Sequence, residues 1–248
     1  MATSSEVRDL YQTFANQRFQ TIVGLADTNP DKKIQLDHAT PSSNIAPGSA
    51  TDDESGETTH FSVIDADGNV VANTYTLNFS FGTGITVAGF LLNNEMADFA
   101  AKPGSPDAFG LVGSDANAIE PGKRPLSSMT PTLVFKDGAP FLITGSPGGS
   151  RIITAVLQQV VNVLDHEANL ATATHHPRIH HQWYPDTLYY EAGTNPDTLN
   201  LLKQWGHNIE PSGTMGSLQS ILWLDGKILG ADDPRRPGAG VATLSSSP

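Results

Sequence analysis

The chain has no cysteine among its 248 residues, which removes disulfides, thiolate zinc sites and cysteine nucleophiles together. Basic residues are scarce as well: 14 Lys and Arg stand against 26 Asp and Glu, a formal net charge of -12. An acidic surface repels phosphate backbones and anionic lipid, so neither nucleic acid nor a membrane is an expected partner. No apolar run approaches the roughly 18 residues that span a bilayer. The first residues, Met1-Ala2-Thr3-Ser4-Ser5-Glu6, lack the basic region and apolar stretch of an export signal. Phosphate-loop, dinucleotide and Gly-x-Ser-x-Gly patterns are missing too, and no cofactor is expected.

What is present reads as an ordinary globular composition, 38% hydrophobic against 16% charged, in a chain long enough for one large domain or two small ones. Residues 6 to 26 place Val7, Leu10, Tyr11, Phe14, Phe19, Ile22, Val23 and Leu25 at a mostly helical spacing. From Asp27 to Glu57 the composition shifts to Asp, Ser, Pro and Gly, the mark of a long connector. After Thr58 the character changes to hairpins. Phe61-Ser62-Val63-Ile64 and Val70 to Asn78 flank the turn Asp65-Ala66-Asp67-Gly68-Asn69, and Thr132 to Phe135 with Pro140 to Thr144 flank Lys136-Asp137-Gly138. A third hairpin joins Ser217 to Leu224 and Lys227 to Gly230 across Asp225-Gly226. Helices are predicted from Ser150 to about His166 and from Pro196 to Trp205. Hairpins interleaved with helices indicate an α+β fold with antiparallel sheet.

Four segments carry chemistry. Pro147-Gly148-Gly149-Ser150 lies between a predicted strand and a predicted helix, where two glycines can turn backbone N–H groups toward one point at a helix N-terminus. Such an arrangement can stabilise an oxyanion, although a glycine turn alone is the commoner use. Ser127 and Ser128 lie between Pro125 and Pro131, two hydroxyls suited to a carboxylate or to a polar turn. Glu95 and Asp98 are three residues apart, one turn if helical, and could hold an ammonium group or simply begin a helix. His175-His176-Pro177-Arg178-Ile179-His180-His181 offers metal-like spacing only if His176 and His180 share a helix. Pro177 opposes that helix, so no metal site is assigned.

The order Thr-Thr-His-Phe-Ser, Tyr-Thr-Leu-Asn, Phe-Gly-Thr-Gly, Leu-Leu-Asn-Asn-Glu-Met, Lys-Arg-Pro-Leu-Ser-Ser-Met-Thr-Pro-Thr and Gly-Ser-Pro-Gly-Gly-Ser-Arg-Ile is highly specific. With these segments the chain resembles the gamma-glutamyltranspeptidase, or glutathione hydrolase, family from about Thr58 to Arg235. The resemblance implies an N-terminal nucleophile hydrolase with an αββα sandwich, here incomplete, divided into residues 1–57 as the end of the large subunit and 58–248 as the small catalytic subunit. It implies a zymogen that cuts itself between Glu57 and Thr58, freeing the Thr58 amine as a base beside the Thr58 hydroxyl.

The family's roles fall on matching positions. Thr76 is expected to orient the Thr58 hydroxyl, and the Gly148 and Gly149 N–H groups to form the oxyanion hole. Asn78, Glu95 and Asp98 are expected to hold the donor's α-amino group, Ser127 and Ser128 its α-carboxylate, and Phe109 to act as lid. The implied substrates are glutathione and other γ-glutamyl compounds, with water or an amino acid or peptide as acceptor. The implied partner is a large subunit supplying an arginine, and the implied location is periplasmic or extracellular. Two alternatives stand beside this reading: a glutaryl-type β-lactam acylase on the same scaffold, and an inert, uncleaved domain.

Overall fold

A computed structural model describes residues 58–107 and 110–243. The predicted helix over 6–26, the connector to Glu57 and the lid position Phe109 lie outside the described residues. In chain order the strands are β1 (Thr58–Ile64), β2 (Val70–Thr76), β3 (Thr86–Val87), β4 (Phe90–Leu91), β5 (Thr132–Lys136), β6 (Ala139–Thr144), β7 (Ile179–His180), β8 (Leu188–Tyr190), β9 (Ile209–Pro211), β10 (Ser220–Leu224) and β11 (Lys227–Ala231). The helices are α1 (Arg151–Leu164), α2 (Leu170–His175) and α3 (Pro196–Gln204).

All three predicted hairpins form. In the first, β1 and β2 pair antiparallel with Thr58 opposite Thr76, and the turn is closed by Asp65, whose Oδ1 accepts the Asp67 and Asn69 N–H groups at 2.9 and 2.8 Å. The other two hairpins join into one four-stranded antiparallel sheet in the order β11-β10-β6-β5. Central strand β6 is buried from Phe141 to Thr144, as expected of a strand covered on both faces.

Helix α1 buries Ile152, Ala155, Val156, Gln159 and Val163, a stripe at helical spacing that faces the sheet. The Asn169 side chain starts α2 by accepting the Thr172 N–H at 2.9 Å. The chain leaves α2 at His176, the residue before Pro177, where the helical conformation is disfavoured. Leu142 of β6, Leu222 of β10 and Ala231 of β11 pack with Val163 of α1 and Leu170, Ala171 and Ala173 of α2 as the main core. Each large aliphatic side chain buried there contributes about 1.5–3 kcal/mol.

Hairpin β1–β2 lies across β5, β6 and β10 rather than extending the sheet at an edge. Its inward His60 imidazole rests directly on Gly145, where any Cβ would overlap the ring. The described residues thus form a helical layer, a four-stranded sheet and a second β layer begun by β1–β2. The outward face of that hairpin exposes Phe61, Val63, Val71 and Tyr75. The α+β expectation holds, and the fourth layer of the sandwich is not among the described residues.

One sheet goes beyond the sequence prediction, while the histidine run behaves as Pro177 suggested. A short sheet of β7, β8 and β9 contains a parallel β8–β9 pair, and its strands of two or three residues are too brief for an alternating pattern to register. His176 ends α2 while His180 sits on β7, so the two do not share a helix.

Candidate active site

Thr58, the first described residue, is 6% exposed and opens onto a cavity of about 490 Å³. Its walls include Thr76, Asn78, Glu95, Asp98, Ser127, Ser128 and Gly149. Thr58 and seven further expected site residues therefore converge from five separate parts of the chain. Gly148 belongs to the same turn as Gly149 but is not part of the cavity wall.

The β1–β2 register brings Thr76 opposite Thr58. Thr76 Oγ accepts the Asn78 N–H at 2.8 Å, which fixes the hydroxyl and commits one of its lone pairs. Asn78 has φ 75°, a left-handed conformation that asparagine tolerates better than most residues. That bend turns the chain out of β2, and the Asn78 amide donates to the Asn94 carbonyl at 3.3 Å. The link ties the end of β2 to the segment that carries the acidic pair.

Glu95 to Asp98 form one 3-10 turn, in which residues i and i+3 eclipse, so both carboxyls point the same way. Burial, followed by hydrogen bonding and repulsion with Asp98, pushes the Glu95 pKa up to about 7. Burial also raises Asp98, with further repulsion from Asp107 and a partly offsetting hydrogen bond from Glu95. Glu95 Oε1 is buried without a hydrogen-bond partner among the described residues. Two close carboxyls that resist full ionisation can accept hydrogen bonds from a cationic group, which would favour their charged forms.

The glycine turn is built as its sequence suggested. Gly148 and Gly149 have φ of 135° and 56°, both in the region that favours glycine. Their carbonyls accept the N–H groups of Arg151 and Ile152 at 3.1 and 3.2 Å and so begin α1. Neither glycine N–H has a partner among the described residues. Two donors unspent among the described residues at a helix N-terminus suit an anionic oxygen. Ser127 Oγ accepts the Met129 N–H at 3.2 Å, while the Ser128 hydroxyl makes no hydrogen bond among the described residues. Lys102 is the sole Lys or Arg among the cavity's described wall residues.

Two contributors escaped sequence reasoning. His60 lies two residues after Thr58, on the same strand face, and bonds to Thr74 Oγ at 2.7 Å and Ser62 Oγ at 3.1 Å. Burial depresses its pKa to about 4, so it is neutral near pH 7 and braces the hairpin. Arg236 Nη1 donates to the Thr58 carbonyl at 2.6 Å across 178 residues of chain. Its position follows from a buried ion cluster: Arg178 bonds Asp233 at 2.5 Å, and Arg235 bonds both Glu191 at 2.6 Å and Asp233 at 3.0 Å. The run Asp232-Asp233-Pro234-Arg235-Arg236 was a signal for this cluster, but only folding shows which charges meet.

A threonine at the start of a strand, opposite a second threonine and sharing a cavity with the glycine turn that begins α1, fits an N-terminal nucleophile hydrolase scaffold. The gamma-glutamyltranspeptidase family model matches residues 7–243. The chain is 58% identical over 206 residues to the glutathione hydrolase proenzyme of Escherichia coli (strain K12), covering 82% of this chain and 36% of that protein. It is 51% identical over 208 residues to the proenzyme of the same name from Pseudomonas aeruginosa, covering 81% and 36%. Among solved structures, gamma-glutamyltranspeptidase from Pseudomonas nitroreducens complexed with L-DON superposes with a TM-score of 0.69 at 50% identity, covering 75% of this chain and 100% of that one. Cephalosporin acylase from Bacillus halodurans gives 0.63 at 26% identity, over 74% and 33%. The chain belongs to the gamma-glutamyltranspeptidase family, and it spans about a third of the length of the curated relatives it matches.

Proposed function

We propose that this chain carries the catalytic half of a γ-glutamyl hydrolase and transferase, activated by cleavage between Glu57 and Thr58. The observation that carries the proposal is the convergence of Thr58, the carboxyl pair and the serine pair on one cavity beside the glycine turn. In the first reaction Thr58 Oγ attacks the Glu57 carbonyl carbon, the Glu57–Thr58 C–N bond breaks, and an ester replaces the amide. Water hydrolyses that ester, leaving a carboxylate on residue 57 and a free amine on Thr58.

The new α-amino group has an ordinary pKa of about 7.7–8.0, so near neutrality part of it is unprotonated and can take the Oγ proton. Thr58 Oγ then attacks the γ-carbonyl of the donor, and the oxyanion faces the Gly148 and Gly149 N–H groups. As the amide breaks, the proton passes to the departing amine and a γ-glutamyl ester remains on Thr58. Water resolves the ester to glutamate, and an amino acid or peptide amine resolves it to a new γ-glutamyl amide. The donor's α-ammonium completes the charge-deficient Glu95–Asp98 pair with help from Asn78, and its α-carboxylate meets Ser127 and Ser128. Glutathione suits this donor site, and its relatives are named glutathione hydrolases. Residues 58–248 act as the small subunit with 1–57 as the end of the large one. A large subunit is the expected partner, and a periplasmic or extracellular location goes with it.

A glutaryl-type acylase is the second reading, because a cephalosporin acylase shares the fold. A glutaryl group has no ammonium, however, and would leave the two carboxyls unpaired in the cavity. With γ-glutamyl and glutaryl p-nitroanilides compared at neutral pH, kcat/KM is expected to favour the γ-glutamyl compound by at least roughly a hundredfold. Preference for the glutaryl compound would overturn the assignment.

Arg236 gives a further check. Losing a charged hydrogen bond of about 1.5–3 kcal/mol loosens the strand end that carries the nucleophile. Arg236→Ala is therefore expected to slow cleavage at Glu57–Thr58 about tenfold or more in an intact-mass time course. One solved relative, in an acivicin-inhibited state, is described as having a C-terminus critical to autoprocessing and catalysis, in keeping with this contact near the chain's end.

A further inference from the structure

The α-ammonium and α-carboxylate of the proposed donor sit on one carbon, so the acidic turn and the serine pair that receive them must stand at a fixed separation. They come from different stretches of the chain, and one side chain joins them. Asn117 Nδ2 donates to the Asp98 carbonyl at 2.7 Å, and Asn117 Oδ1 accepts the Leu126 N–H at 2.9 Å. Leu126 is the residue before Ser127. The Asn117 backbone carbonyl also accepts the Ala100 N–H at 2.9 Å, which fastens the chain beyond Asp98 a second time. Half-buried, Asn117 borders the cavity together with Asp98, Leu126 and Ser127.

Asn117 is itself held in place. It ends the 3-10 turn Asp115–Asn117, where the Ser114 carbonyl accepts its N–H at 3.0 Å and the Ser114 hydroxyl accepts the Ala116 N–H at 3.3 Å. The residue type matters, because an amide offers a donor to one partner and an acceptor to the other. Both partners are backbone groups, so the contact fixes where two segments run rather than how one side chain points. We propose that Asn117 is a positioning residue for donor recognition: it sets the spacing between the carboxyls of Glu95 and Asp98 and the hydroxyls of Ser127 and Ser128, so that one α-amino acid group meets both pairs at once. Groups that act together at a site must be held to within about 0.5 Å, whereas a donor that carries only one of the two charges does not feel their spacing. Asn117 thus sharpens selection for the α-amino acid end of the donor without taking part in bond breaking.

This inference rests on the γ-glutamyl reading, and the test separates the two. The full chain and its Asn117→Ala variant are assayed with γ-glutamyl, glutaryl and 4-aminobutyryl p-nitroanilides, the second lacking the ammonium and the third the α-carboxylate. Asn117→Ala is expected to raise KM for the γ-glutamyl compound about tenfold while kcat stays within about threefold, the pattern of lost donor binding. KM for the two truncated compounds should change by less than about threefold, since each uses one grip alone. An unchanged γ-glutamyl KM, an equal rise for all three compounds, or a loss confined to kcat overturns the proposal. Should Asn117→Ala not fold, Asn117→Ser, whose side chain is too short to span both partners, carries the same comparison with the same outcomes. Calorimetric binding of L-glutamate, glutarate and 4-aminobutyrate supplies a readout independent of turnover: Asn117→Ala should weaken L-glutamate about tenfold and the other two by less than about threefold. Weakening of all three alike, or of none, also overturns the proposal. If the selective loss is seen while no p-nitroaniline is released, the hydrolase reading fails and the positioning role stands.

Discussion

Thr58→Ala is expected to leave the polypeptide whole. In the proposed activation the bond before residue 58 is broken by the hydroxyl of residue 58 itself, and alanine has no oxygen to attack with. Intact mass of the wild type under folding conditions should resolve into fragments whose new N-terminus is Thr58, while the variant shows one undivided mass. Activity toward γ-glutamyl-p-nitroanilide should fall at the same time by at least roughly ten-thousandfold, the scale on which removing a nucleophile acts in hydrolases of this logic. Because Thr58 lies at the start of β1 and is already 6% exposed, loss of one hydroxyl and one methyl there should leave the β1–β2 hairpin paired. Thr58→Ser separates chemistry from packing: it keeps the oxygen and should still cut, more slowly, because serine lacks the methyl group that restricts the side chain's rotation. A wild-type chain that stays whole would instead favour the inert, uncleaved domain. Cleavage without turnover would point to a need for the proposed large-subunit partner, which can be supplied in trans.

The parts of the fold that sequence revealed are those governed by neighbouring residues. Each hairpin announced itself through a turn such as Asp65 to Asn69 or Lys136-Asp137-Gly138, and α1 through an apolar stripe along its fourteen residues. Helix α2, six residues long, has too few positions for a period. The β8–β9 pair joins Leu188 to Ile209 in parallel, which no local pattern encodes. The site divides along the same line. Its glycine turn and its acidic pair were legible because each works through local backbone geometry. The grip of Arg236 on the Thr58 carbonyl was not, because it depends on Arg178, Glu191, Asp233 and Arg235 meeting in a buried cluster. Such a cluster is costly to desolvate and intolerant of losing one member, so its value lies in fixing where the chain end goes.

The acidic pair leads to the second large effect. Asp98→Asn is expected to raise KM for γ-glutamyl donors by roughly tenfold to more than a hundredfold, since charge-assisted bonds to an ammonium are worth about 1.5–3 kcal/mol each. The pH dependence is the sharper test. Without donor, burial and the nearby Asp98 carboxyl hold Glu95 at about 7, so near neutrality the pair still carries a proton much of the time. An ammonium between the carboxyls favours their ionised forms, so the complex binds fewer protons than the free protein. Rising pH must then strengthen donor binding until Glu95 is ionised in the free state, and falling pH must weaken it through the same window. In the wild type, KM should fall between about pH 6 and about pH 8 and then level off. Asp98→Asn removes the mutual repulsion, lets Glu95 ionise at lower pH, and should shift the inflection toward acid while KM stays high. The shift distinguishes a lost electrostatic partner from a distorted cavity, because distortion alone would raise KM without moving the inflection. A wild-type KM that is flat across that range would sink the assignment of Glu95 and Asp98 as the ammonium site.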